Sequence, residues 1–142
     1  MSDDDRFIYL VFTAQQRLRN YLKEALAKAE TNITPAQTGI LALLREKNGR
    51  TMTELSHALS IDNSTITGLV DRLENAGLLK RRPKAEDRRI SLICLTPEGD
   101  RETRKAITAL HRVNEEIRSG FSSDEMLIFK RVLNSFFVKF KR

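Results

Sequence analysis

Only three residues, Ser60, Ile61 and Asp62, separate two short segments whose apolar residues recur at helical spacing, and nothing else constrains the chain as strongly. In the first segment, Thr51-Met52-Thr53-Glu54 reads as a capping box, with Thr51 bonding the backbone ahead and Glu54 reaching back. Met52, Leu55, Ala58 and Leu59 are its expected buried side. In the second, Asp62 is the expected N-cap, Ile66, Leu69, Val70 and Leu73 the buried stripe, and Gly77 the stop. Two further runs, Leu78 to Arg82 and Ile90 to Thr96, are short and rich in β-branched or alternating apolar residues. They flank the polar stretch Pro83 to Arg89 and predict a β-hairpin with a long tip. Helix, short helix, tight turn, helix, hairpin is the order of a helix-turn-helix with a β-wing, whose second short helix enters the DNA major groove.

Longer helices are expected on either side. From Phe7 to Ala29, the residues Phe7, Val11, Ala14, Leu18, Tyr21 and Ala25 step by four and three along one face, widened by Ile8, Leu10, Leu22 and Leu26. Thr34-Pro35 is an N-cap followed by proline at the first helical position, and that helix should run to about Lys47 and close near Asn48-Gly49. Thr96-Pro97 repeats the signal and opens a long helix to about Arg118. Ser122 to Glu125 is another capping box, ahead of a last helix with Met126, Phe129, Leu133, Phe136 and Phe140 on one stripe. The fold class is mainly α with a small β-hairpin wing: a winged lobe over 34–96, with helical regions at 6–30 and 97–142.

A DNA-reading lobe needs an exposed polar face. On the second short helix Ser64, Thr67, Gly68 and Asp71 lie three or four apart, opposite the apolar stripe. Asn63 and Thr65 stand at the helix mouth, where N–H groups favour phosphate, and Arg72 flanks the face. Between Lys80 and Arg89 six cations (Lys80, Arg81, Arg82, Lys84, Arg88 and Arg89) meet two acids, Glu86 and Asp87, so ten residues carry four of the chain's six net positive charges. Arginines on a hairpin tip suit the minor groove, whose negative potential deepens where it narrows. Asp87 reads as an internal partner that pins Arg89 or Arg88 and lowers the cost of ordering the wing on DNA.

Other classes of function find little support. No apolar run approaches the roughly 18 residues a membrane helix needs, and the start, Met1-Ser2-Asp3-Asp4-Asp5, is acidic where a secretory signal is basic. A cytoplasmic protein is expected. The single cysteine, Cys94, cannot form an internal disulfide and should be a buried, inert thiol in the second wing strand. With two histidines, His57 and His111, the chain has no four-ligand structural zinc site, and no nucleophile, base and orienting group converge in sequence. Neither a metal, nor a cofactor, nor an enzymatic activity is expected.

Several motifs in order closely resemble the MarR family of multiple-antibiotic-resistance-type regulators over nearly the whole chain. Thr34-Pro35-Ala36-Gln37 resembles the opening of the family's second helix, and Met52-Thr53-Glu54-Leu55-Ser56 with Leu59 its first helix-turn-helix element. Asp62 to Glu74 is similar to its recognition helix, Asp87-Arg88-Arg89 to its wing, and Leu95-Thr96-Pro97-Glu98-Gly99 to the exit into its fifth helix. The resemblance implies a homodimeric repressor on a pseudo-palindromic operator in double-stranded DNA, released by a small aromatic or anionic effector. It places Ser64, Thr65, Thr67 and Gly68 at recognition positions, with Gly68 where many members carry a polar or basic residue. Arg88 and Arg89 match the wing, and Asp87 its brace. Composition points to a dimer as well: the apolar first helix and a last helix in a region holding five of the seven phenylalanines would leave a large exposed patch unless buried across a twofold axis, the alternative being an intramolecular helical layer. The alternatives are a winged helix used for protein contact and a ligand sensor that does not bind DNA.

Overall fold

Side-chain caps and prolines set where the helices begin. In the computed structural model, which describes residues 6–141, the order is α1 (Phe7–Lys28), α2 (Pro35–Glu46), α3 (Met52–Leu59), α4 (Asn63–Asn75), β1 (Leu79–Pro83), β2 (Ser91–Leu95), α5 (Pro97–Arg118) and α6 (Ser123–Lys139). The acidic Asp3-Asp4-Asp5 lies outside the described residues. Thr51 Oγ1 accepts the Glu54 N–H at 3.1 Å, and Asp62 Oδ1 accepts that of Thr65 at 2.7 Å. Ahead of α5, Thr96 Oγ1 accepts from Gly99 at 2.9 Å and donates to the Gly77 carbonyl at 2.6 Å. One hydroxyl thereby starts a helix and ties it to the end of α4. Gly77 follows the C-cap Ala76 at φ +80, the left-handed region that glycine adopts without strain and that closes α4, whereas α2 ends on the extended Lys47 and Gly49, also at φ +80, turns the loop beyond it.

The hairpin is antiparallel and pairs Leu79 with Leu95 through Pro83 with Ser91. A third, one-residue rung was not evident from the sequence. Arg50 exchanges backbone hydrogen bonds with Ile93 at 3.1 and 2.7 Å, while its Nε donates to the Leu43 and Lys47 carbonyls at the end of α2. A cation at a helix C-terminus opposes the negative end of the dipole. Asn48 adds a bond from the Leu95 N–H to its own Oδ1 at 2.9 Å. The root of the wing is therefore fastened to the loop between α2 and α3.

The chain divides into two compact units, one running to Leu110 and one from His111. The core belongs to the first. Leu26 of α1, Ile40, Leu41 and Leu44 of α2, Leu55 of α3, the α4 stripe, Leu79, Ile93 and Ala106 are all buried. The expected stripe of α4, Ile66, Leu69, Val70 and Leu73, is buried as read from the sequence. On α3 the expectation holds for Leu55 but not for Ala58, which is exposed, while Met52 and Leu59 are half-buried. At its end α3 meets α2 through Leu59, which lies against Gly39, and Ala58 falls outside that contact. Cys94 is buried, as expected. In the second unit, Gly120 at φ +88 precedes α6, where Ser122 and Glu125 form the expected capping box at 2.9 and 3.1 Å and no side chain is buried.

Where the wing hands over to α5, the backbones nearly touch. A methyl group on Gly99 would lie 2.0 Å from the Leu78 carbonyl oxygen, a backbone atom that cannot rotate away. Gly99→Ala should therefore destabilise the fold by about 3 kcal/mol, the upper end of overpacking costs. Urea denaturation checks this, through a lower midpoint at unchanged slope.

Candidate nucleic-acid interface

Burying one face of α4 dictates the other. With Ile66, Leu69, Val70 and Leu73 facing the core, Asn63, Ser64, Thr65, Thr67, Asp71 and Arg72 are exposed and Gly68 is half-buried. A side chain at Gly68 would meet nothing within 4 Å, so the face is open above it. The hydroxyls are partly engaged within the helix: Ser64 donates to Asp62 at 3.0 Å and Thr67 to the Asn63 carbonyl at 2.8 Å, which leaves their lone pairs outward. The helix mouth is occupied. Asp62 holds the Thr65 N–H, so an arriving phosphate would meet a carboxylate there rather than a vacant row of donors.

On the wing, the expected brace is present and it grips Arg89, not Arg88. Asp87 Oδ1 accepts from Arg89 Nε at 3.0 Å and Oδ2 from Nη2 at 3.1 Å, and Oδ1 also takes the Arg89 backbone N–H at 3.1 Å. The Arg89 side chain is nonetheless 90% exposed. This contact, with the Lys84 charge adding to it, holds the Asp87 carboxyl below its ordinary value of 3.8, and the Arg89 guanidinium is raised in turn. The tip around it is closed by backbone bonds from Lys84 to Ile90 at 2.8 Å and from Ile90 to Asp87 at 3.0 Å. Lys84 is half-buried and Arg88 exposed.

The hairpin's six cations are not equivalent. Arg81 turns back to α4, with Nη2 at 2.5 Å from Asp71 Oδ1 and Nε at 3.5 Å from Glu74 Oε1. Asp71, read from the sequence as part of the polar face, is thus an ion-pair partner of the wing. No local signal announces this link, since its ends sit ten residues apart on different kinds of element. A further feature lies away from this face: a cavity of about 440 Å³ between α1 and the start of α2, lined by Arg19, Asn20, Lys23, Asn32 and Thr34 among others. Both histidines are exposed, and among the described residues no group of three or more His, Cys, Asp or Glu could hold a metal. Nor, among those residues, is any helix long and apolar enough to cross a membrane.

The profile of the MarR family matches residues 33–91, the stretch from the start of α2 to the start of β2. The chain is similar to the HTH-type transcriptional regulator PecS of Dickeya dadantii, 32% identical over 87% of this chain and 78% of that protein. It is also similar to the HTH-type transcriptional repressor MdtR of Bacillus subtilis, 28% identical over 89% of this chain and 79% of that one. Among solved structures, a mutant of MarR from E. coli complexed with operator DNA superposes with a TM-score of 0.82 at 25% identity, over 94% of both chains.

The brace makes a pH prediction with a definite sign. Because the folded pKa of Asp87 is lowered, the Asp87–Arg89 contact contributes fully above 3.8 and is lost as pH falls through the lower folded value. Carbon-detected NMR should show the Asp87 carboxyl titrating below 3.8, and in Arg89→Gln its midpoint should move back up toward that value. An unmoved midpoint would mean that Arg89 is not what lowers it.

Proposed function

Since this chain belongs to the MarR family, we propose that it is a transcriptional repressor working as a homodimer, each subunit laying α4 in the major groove and the wing along the neighbouring minor groove. The observation that carries this reading is Arg89, a guanidinium gripped at two points by Asp87 and still 90% exposed at the tip of a cationic hairpin. Stability does not require such a residue, because exposed ion pairs contribute little to folding. A groove-reading arginine gains from it, because a side chain ordered before binding loses less entropy on DNA. Asn63, Ser64, Thr65, Thr67, Gly68 and Arg72 supply the major-groove face, and Lys84, Asp87, Arg88 and Arg89 the wing. The hydroxyls suit base edges or phosphates, and Arg88 adds charge toward the backbone.

The winged lobe is taken as 34–96, with 6–30 and 97–142 as the dimerisation region. Support comes from apolar surface. On α1, Phe7, Ile8, Leu10 and Phe12 are each more than half exposed, and on α6 so are Leu127, Ile128, Phe137 and Val138. Faces of that kind are covered in stable proteins, and a twofold pairing of two chains covers them. It would also bring two winged lobes to a pseudo-palindromic operator, at half-sites about 34–36 Å apart. A small anionic effector, aromatic or not, would find Arg19 and Lys23 at the 440 Å³ cavity, where its binding could shift the lobes.

Two measurements test the reading. Affinity for the operator should fall steeply with salt, and Arg89→Ala should weaken it by on the order of ten- to a hundredfold, with the largest loss at the minor-groove positions. An unchanged affinity would remove Arg89 from the interface. In sedimentation, the chain should run at twice its mass, and Phe137→Asp should shift it toward monomer; a dimer of undiminished strength would place the interface elsewhere.

A further inference from the structure

Resting on that reading of α4 and the wing, we infer that Arg81 is a positioning residue for DNA selectivity, held by Asp71 and Glu74 so that the reading helix and the wing keep one mutual angle and one cation is withheld from the phosphates. Its guanidinium is used at two edges, Nη2 toward Asp71 at 2.5 Å and Nε toward Glu74 at 3.5 Å, so it cannot turn without breaking one contact. The arrangement spans the two elements meant to enter adjacent grooves. α4 ends at Asn75 and β1 begins at Leu79, joined by the Gly77 turn and by the core that Leu73 and Leu79 share, and the ion pairs add a link on the exposed side, from β1 to the polar face of α4.

Stability is a poor explanation for these contacts. Each partner keeps more than a third of its side-chain exposure, 38% for Arg81, 53% for Asp71 and 38% for Glu74, where ion pairs contribute little. Their cost to function would be high if they did nothing, since two carboxylates on a phosphate-facing surface weaken binding to every DNA sequence alike. Selectivity makes sense of that cost. A protein that lowers its affinity for arbitrary DNA while presetting helix and wing for one groove geometry widens the gap between operator and background. Lys80, Arg82 and Arg88, without ion pairs among the described residues, remain to supply the general attraction.

The experiment uses the full-length chain, an operator fragment selected by the wild-type protein from a random-sequence library, and a random-sequence duplex of equal length. Asp71→Asn/Glu74→Gln should keep its fold and melting temperature, yet lower the ratio of operator to random affinity at least tenfold. On the random duplex the log–log salt slope should steepen by about one, the signature of one released arginine reaching a phosphate. If this double variant fails to fold, Arg81→Lys keeps the charge but loses the two-edged grip, and it should lower the ratio likewise. A ratio within threefold of wild type in the folded variant, as happens when charge alone tightens both complexes equally, overturns the proposal. A wild-type protein that selects no operator overturns the DNA-binding reading itself, and this inference with it.

Discussion

Burial of Ile66, Leu69, Val70 and Leu73 is the constraint on which the rest turns. Fully burying apolar side chains of this size stabilises by roughly 1.5–3 kcal/mol each, so α4 has no freedom to rotate about its axis. Its orientation is therefore decided in the core, by contacts that never meet a ligand. The opposite face, with its hydroxyls, Gly68, Asp71 and Arg72, is presented as a consequence. Once α4 is set, the Gly77 turn directs the chain into β1, and the rung between Arg50 and Ile93 fastens the hairpin's root to the α2–α3 loop.

Electrostatics at the proposed interface works by restraint rather than accumulation. A net charge of +6 spread over the surface would attract any polyanion weakly. Two of the hairpin's arginines are instead committed to carboxylates within the protein, Arg89 to Asp87 at the tip and Arg81 to Asp71 and Glu74 near the root. Neither pairing is deep enough to count for much in folding, so what they set is geometry. The carboxylates reduce the net field and hold Arg81 and Arg89 in place, although all four hairpin arginines, Arg81, Arg82, Arg88 and Arg89, stay exposed.

Local physics made most of this legible. Helix starts were readable because a cap and the residues it bonds lie within four positions, as at Thr51, Asp62, Thr96 and Ser122. Helix boundaries and strands fell within a residue or so of expectation. The Asp87–Arg89 brace was readable too, though not which arginine it would take, because the two residues that follow Asp87 are both arginine and only the backbone of the tip selects one. Ala58 shows the limit: helical periodicity put it on the buried side of α3, but whether a face is covered depends on what the rest of the chain places opposite it.

Sequence alone determined the order of elements, their caps, the buried stripe of α4 and the concentration of positive charge on the hairpin, since each depends on residues near one another along the chain. Tertiary structure decided the Arg50–Ile93 rung, the close passage of Gly99 over the Leu78 carbonyl and the hold of Asp71 and Glu74 on Arg81. These join residues 43, 21, and ten and seven positions apart, across turns whose dihedral angles set the distance. Spacing along a chain specifies distance only within a helix or a strand; beyond a turn, packing determines which side chains meet.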